Sequence, residues 1–117
     1  MDIKDVYQIT FSPTGTSRRV AEAIVSGTGI ERVTVADVTL ETEKSLTVPR
    51  QALAVFAVPV YGGHVAPLAL ERMKDIRSDE GAPAVVVVVY GNRAYEKALQ
   101  ELDAFVSARG FKVIAGG

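Results

Sequence analysis

The sequence predicts a single α/β domain built on a parallel sheet, and three observations carry that prediction. Two runs, Ala52–Val60 and Ala84–Tyr90, are almost wholly apolar, the second containing five consecutive valines. Runs of that length and β-branched content suit parallel strands buried on both faces. Segments with helical periodicity separate the strand-like runs, giving the order strand, helix, strand, loop, strand, helix, strand, helix, strand. Such alternation favours parallel strands joined by right-handed crossovers.

Val6–Phe11 reads as the first strand, with Tyr7, Ile9 and Phe11 on one face and Val6, Gln8 and Thr10 on a second, unusually polar one. From Ser17 onward, Val20, Ala21, Ile24 and Val25 fall on one helical stripe, and Gly27 is placed to end it. Glu31–Val38 is a short second strand. Thr39–Arg50 shows no clear period, and Pro49 closes it, so it reads as loop. Between the two apolar runs, Pro67 stands at a natural first-turn position, and Ala69, Leu70, Met73 and Ile76 form a second helical stripe. Tyr95, Ala98, Leu99, Leu102, Phe105 and Val106 recur at three- and four-residue spacing as a third helix. Gly110 stops that helix before a last strand, Phe111–Ala115.

Composition excludes several function classes. The 117 residues make one domain, 1–117, large enough for a real core yet short for a doubly wound sheet with a full set of helices. There is no cysteine, which removes disulfides, cysteine-held iron–sulfur clusters and thiol catalysis. His64 is the only histidine and the acids are scattered, so no metal-ligand spacing is present. Thirteen Lys and Arg against fourteen Asp and Glu leave a formal charge of -1, without the basic excess that nucleic acid requires. The first residues lack a basic start followed by an apolar stretch, and no apolar run approaches membrane-spanning length. A cytoplasmic location is the expectation.

In open parallel sheets, ligands bind beyond the carboxyl ends of the strands. Three loops emerge there. In the first, Ser12-Pro13-Thr14-Gly15-Thr16-Ser17, hydroxyls crowd around one glycine between a strand and a helix. Unpaired N–H groups, hydroxyls and the positive end of the helix dipole would converge on an anion, although a Ser or Thr helix cap uses the same residue types. The second, Pro59-Val60-Tyr61-Gly62-Gly63-His64-Val65, joins a ring to backbone free to approach a planar ligand closely; a tight turn with Tyr61 covering the sheet edge is the alternative. The third, Gly91-Asn92-Arg93-Ala94-Tyr95, places another aromatic on the same rim, unless Tyr95 is the first core residue of its helix. Together the loops predict a phosphorylated, planar aromatic ligand.

These motifs resemble those of the flavodoxin family, which holds flavin mononucleotide (FMN). Ser12-Pro13-Thr14-Gly15-Thr16-Ser17 resembles the family's hydroxyl-rich phosphate loop, with Ser17 where many members have Thr. Tyr61-Gly62-Gly63 stands where the family has an aromatic-glycine loop against the flavin ring. Gly91-Asn92-Arg93-Ala94-Tyr95 resembles its Gly-Asp-x-x-Tyr loop, with Asn92 in place of Asp. The wording of the first two motifs is most similar to the flavodoxin-like domains fused to ferredoxin domains in some anaerobes' redox proteins.

The resemblance implies a flavodoxin-like, doubly wound five-stranded sheet of order 2-1-3-4-5, lacking the family's usual C-terminal helix and so truncated after the fifth strand. It implies an electron-transfer domain in which Ser12, Thr14, Gly15, Thr16 and Ser17 bind the phosphate. Pro59, Val60, Tyr61, Gly62 and Gly63, with Gly91, Asn92 and Tyr95, contact the isoalloxazine, and a peptide near Gly62 or Gly63 turns its carbonyl toward N5. Asn92 then predicts a higher reduction potential than an Asn92→Asp variant would have. Arg18 and Arg19 add charge to the phosphate or point to solvent, and His64 reads as a polar rim residue. No catalytic acid or base and no metal ligand is assigned. A redox partner protein or a fused ferredoxin domain is the implied partner. A homodimer or swapped assembly is expected to cover the face left by the missing helix. A flavin-dependent reductase or quinone oxidoreductase, and a flavin-free fragment serving only in assembly, are the competing functions.

Overall fold

A computed structural model of the chain describes residues 3–40, 45–89 and 95–117, with Tyr95 described by its backbone only. The elements are β1 (Asp5–Thr10), α1 (Thr16–Gly27), β2 (Val33–Asp37), β3 (Leu46–Thr47), β4 (Ala52–Tyr61), β5 (His64–Val65), α2 (Pro67–Met73), β6 (Ile76–Arg77), β7 (Pro83–Val89), α3 (Tyr95–Ala108) and β8 (Lys112–Gly116). Five strands run parallel in the order β2-β1-β4-β7-β8, with β5 folding back antiparallel on β4. Counting only the strands expected from sequence, that order is 2-1-3-4-5.

The two apolar runs occupy the centre. Ala54, Val55, Ala57, Val58 and Ala84 are fully buried, as strands covered on both faces should be. Alternation along β1 sends its side chains to opposite sides. Ile9 and the flanking Phe11 join a core shared with Phe56, Met73, Leu102 and Phe111, on the side of α2 and α3. Within it the rings of Phe56 and Phe111 meet edge to face, 5.1 Å apart. Val6 lies on the other side with Ala21 and Val25 of α1 and with Val55, Ala57 and Val87. Gln8 and Thr10 face that side too, and both are buried.

Helix α1 starts at Thr16, one residue before the stripe, and ends at Gly27. Gly29, at φ 72°, takes the left-handed turn that follows, its N–H donating to the Ser26 carbonyl. Helix α2 is shorter than its stripe. It ends at Met73, and Ile76 enters the core from β6, which pairs in parallel with β3 inside the stretch expected to be loop. An apolar residue at i+3 fits either a continuing helix or a strand beneath it, and the β-branched side chain of Ile76 suits the strand. Ser78, 4% exposed, ties this corner together: its hydroxyl donates to the Val48 carbonyl and accepts from the Ala82 N–H. No helix among the described residues is long and apolar enough to cross a membrane.

Candidate functional site

Because β1 and β4 are parallel neighbours, the loops that follow them leave the sheet on one edge. The first loop turns tightly after Phe11. The Gly15 N–H donates to the Ser12 carbonyl, and Gly15 itself stands at φ 85° as the residue capping α1. A left-handed residue with no side chain cannot cap the helix in the way expected of a Ser or Thr there. Ser12 does part of that work from outside, accepting the Arg18 N–H on its hydroxyl at 3.0 Å. Among the described residues this leaves the N–H groups of Thr14, Thr16 and Ser17 without an acceptor.

One further feature favours an anion over a plain cap. The first turn of α1 contains no acidic residue, so nothing on the helix neutralises the positive end of its dipole. At the foot of the loop, the Thr10 hydroxyl is fully buried with no hydrogen-bond partner among the described residues. Ser12 retains its own O–H as a donor, since a hydroxyl accepts one N–H without spending its proton. The hydroxyls of Thr14 and Thr16 lie 3.3 Å apart on the exposed side.

The loop is braced from behind by residues that the sequence reading did not single out. The Ser12 N–H donates to the Thr39 hydroxyl at 2.8 Å, and the Thr39 hydroxyl and N–H both donate to Asp37. Arg72 of α2 donates to the carbonyls of Val38 and Thr39 and lies over the Phe11 ring. The Asp37-x-Thr39 spacing is a local turn signal. Its contact with Ser12, 27 residues away, has no local signal.

The second loop is a two-residue hairpin. Tyr61 pairs with His64 across Gly62 and Gly63, whose φ values are 60° and 83°. Positive φ at both central residues makes it a type I′ turn, the form whose twist matches the flanking strands. Tyr61 is 53% exposed at the tip, while Pro59 and Val60 are half-buried beneath it. Glu101 of α3 pins the hairpin: one carboxylate oxygen accepts the Val65 N–H at 2.8 Å, and the other lies 3.4 Å from His64 Nδ1. The imidazole is thus turned toward α3, with about half its surface in solvent. Tyr90, Gly91, Asn92, Arg93 and Ala94 lie outside the described residues, and Tyr95 opens α3. Among the described residues no group of three or more His, Asp or Glu is placed to hold a metal ion.

Comparison with known proteins follows the fold. The family model described as Flavodoxin matches residues 9–117. A flavoprotein from Lactobacillus acidophilus NCFM, solved in complex with FMN, superposes with a TM-score of 0.60 at 16% identity, covering 97% of this chain and 91% of that one. A Bacteroides uniformis ATCC 8492 structure, also named as a flavoprotein, superposes at 0.62 and 14% identity, covering 99% and 89%. At these identities the superpositions speak for the fold. No curated protein matches the chain.

Proposed function

The chain belongs to the flavodoxin family, and on that premise we propose that it is an FMN-binding electron-transfer domain. The observation that carries the reading is the first loop, where three N–H groups have no acceptor among the described residues, beside a helix whose first turn has no acidic residue. A phosphate ester fits that set of donors. The N–H groups of Thr14, Thr16 and Ser17 and the hydroxyls of Ser12, Thr14, Thr16 and Ser17 would hold it, with Gly15 leaving the backbone open.

FMN, when bound, supplies the redox chemistry, and the chain's residues position it. Pro59, Val60, Tyr61, Gly62 and Gly63 would line the ring, with Gly91, Asn92 and Tyr95 completing the site from the third loop. The hairpin supports a mobile acceptor there. Rotating the Gly62–Gly63 peptide converts a type I′ turn into type II′, which keeps φ positive only at Gly62 and preserves the two-residue hairpin. The Gly62 carbonyl can therefore turn over without a shift in strand register, and would accept a hydrogen bond from a protonated N5 if FMN is held beside it.

The partner proposed is a redox protein or a fused ferredoxin domain, in the cytoplasm. A second copy of the chain is proposed on the α1 side of the sheet, where Val33 and Val35 are 39% and 55% exposed and Leu53 and Val85 are half-buried. The test is direct. Purified protein should carry flavin absorbance that survives desalting or returns on adding FMN. Failure under both conditions overturns the reading in favour of a flavin-free assembly role. Steady-state turnover with a nicotinamide donor and a quinone would instead identify a reductase.

A further inference from the structure

The first turn of α1 carries Arg18 and Arg19, and both guanidinium groups fold back over the loop that precedes the helix. Helical side chains lean toward the N-terminus, so residues in the third and fourth helical positions naturally cover the turn before them. Arg19 Nη1 lies 3.4 Å, and Arg18 Nη2 3.8 Å, from the position a Cβ on Gly15 would take. Arg19 Nη2 also donates to the Thr16 hydroxyl at 3.4 Å.

That placement is electrostatically unfavourable in the protein alone. Two cations stand at the positive end of a helix dipole, beside N–H groups that have no acceptor among the described residues. The Arg and Lys ion pairs formed among the described residues are Arg32–Asp5, Lys74–Glu71 and Arg77–Asp79, and none involves Arg18 or Arg19. A ligand bearing two negative charges on one tetrahedral group would relieve all three sources of positive potential together. A monoester phosphate is such a group, because its second ionisation lies near pH 6. Guanidinium forks also match phosphate oxygens better than a point charge does.

We propose that Arg18 and Arg19 close over the loop as charge-reading residues, so that the chain selects its ligand by the dianionic phosphate and not by the flavin ring alone. The inference rests on the FMN reading above and adds a specificity device to it. Both side chains are exposed, so their contribution is screened and sensitive to ionic strength.

The experiment compares FMN and riboflavin titrations of the wild type, Arg18→Gln/Arg19→Gln and Arg18→Lys/Arg19→Lys, at low and at 0.3 M salt, after circular dichroism has matched the folds. The wild type should favour FMN over riboflavin, and salt should erode that preference. In the Gln pair FMN should bind about five- to tenfold more weakly at low salt, the salt dependence should flatten, and riboflavin binding should not change. The Lys pair should recover most of the salt dependence. Inorganic phosphate should raise the melting temperature of the wild type more than that of the Gln pair. Undiminished FMN affinity in the Gln pair, or an equal loss for riboflavin, overturns the inference while leaving the FMN reading in place. A wild type that binds neither flavin overturns both.

Discussion

The Gly62–Gly63 hairpin allows the proposed carbonyl switch to be tested by two substitutions that look alike and should act differently. In the turn seen here both residues have positive φ, 60° and 83°. After the peptide turns over, Gly62 keeps positive φ and Gly63 becomes negative. Alanine at 62 therefore meets the left-handed penalty in the starting state and a larger one after the turn, where the first central residue takes a conformation that glycine alone adopts readily, while alanine at 63 meets it in the starting state alone. Taking the left-handed penalty as about 1–2 kcal/mol, Gly63→Ala should favour the turned state by the same amount, and Gly62→Ala should favour the starting state. If reduction draws on the turned state, that bias raises the potential of a one-electron step by about 40–90 mV, since 1.4 kcal/mol corresponds to roughly 60 mV. Among the described residues no atom lies within 4 Å of a Cβ added at Gly62, so Gly62→Ala tests backbone strain without a steric clash there. The assay is potentiometry of the FMN-loaded wild type and both variants. Equal shifts in the two variants, or an unmoved potential in Gly63→Ala, would refute the turn argument.

Other consequences follow from contacts elsewhere. Gly110 ends α3 at φ 92°, and a Cβ there would lie 2.0 Å from the Ser78 carbonyl oxygen, so Gly110→Ala should cost about 3 kcal/mol or more and lower the urea midpoint sharply. Thr39→Val removes the acceptor of the Ser12 N–H while keeping side-chain volume. It should cost about 1 kcal/mol and weaken FMN several-fold with little change for riboflavin, by fluorescence titration. The partly exposed apolar residues on the α1 side of the sheet should be covered by a second chain. Light scattering should then show a concentration-dependent dimer, and a folded monomer throughout the accessible range would count against it.

Much of the fold was legible because its signals are local or periodic. The valine run of β7, the α1 stripe and Gly110 each carry their structural reason within a few residues. The polar face of β1 was legible as an oddity, and the structure turns it into buried Gln8 and Thr10 under the first loop. What escaped the sequence depends on partners far along the chain. The β3–β6 pair joins two-residue segments that have no period of their own. Thr39 reaches Ser12 across 27 residues, and Glu101 reaches Val65 across 36. Only the strand order brings those groups together, so the first two loops could be located in advance and the braces behind them could not.

In the first loop a helix cap and the proposed anion site, competing readings of the same residues, are compatible. Ser12 accepts the Arg18 N–H and keeps its own proton, while Gly15, having no side chain, leaves the N–H groups of Thr16 and Ser17 unspent. The helix thus gives up stabilisation at its first turn where donors are needed. Gly15→Asn separates the two roles, because Asn tolerates left-handed backbone better than other substituted residues. Its Cβ would touch only the mobile ends of Arg19 and Arg18, at 3.4 and 3.8 Å, so the fold should remain within about 1 kcal/mol of wild type in urea unfolding. The added amide would occupy the cradle, and FMN should bind about tenfold more weakly while riboflavin binds as before. An unchanged ratio of the two affinities would mean that the open backbone at Gly15 serves the turn alone, and that the phosphate is held elsewhere.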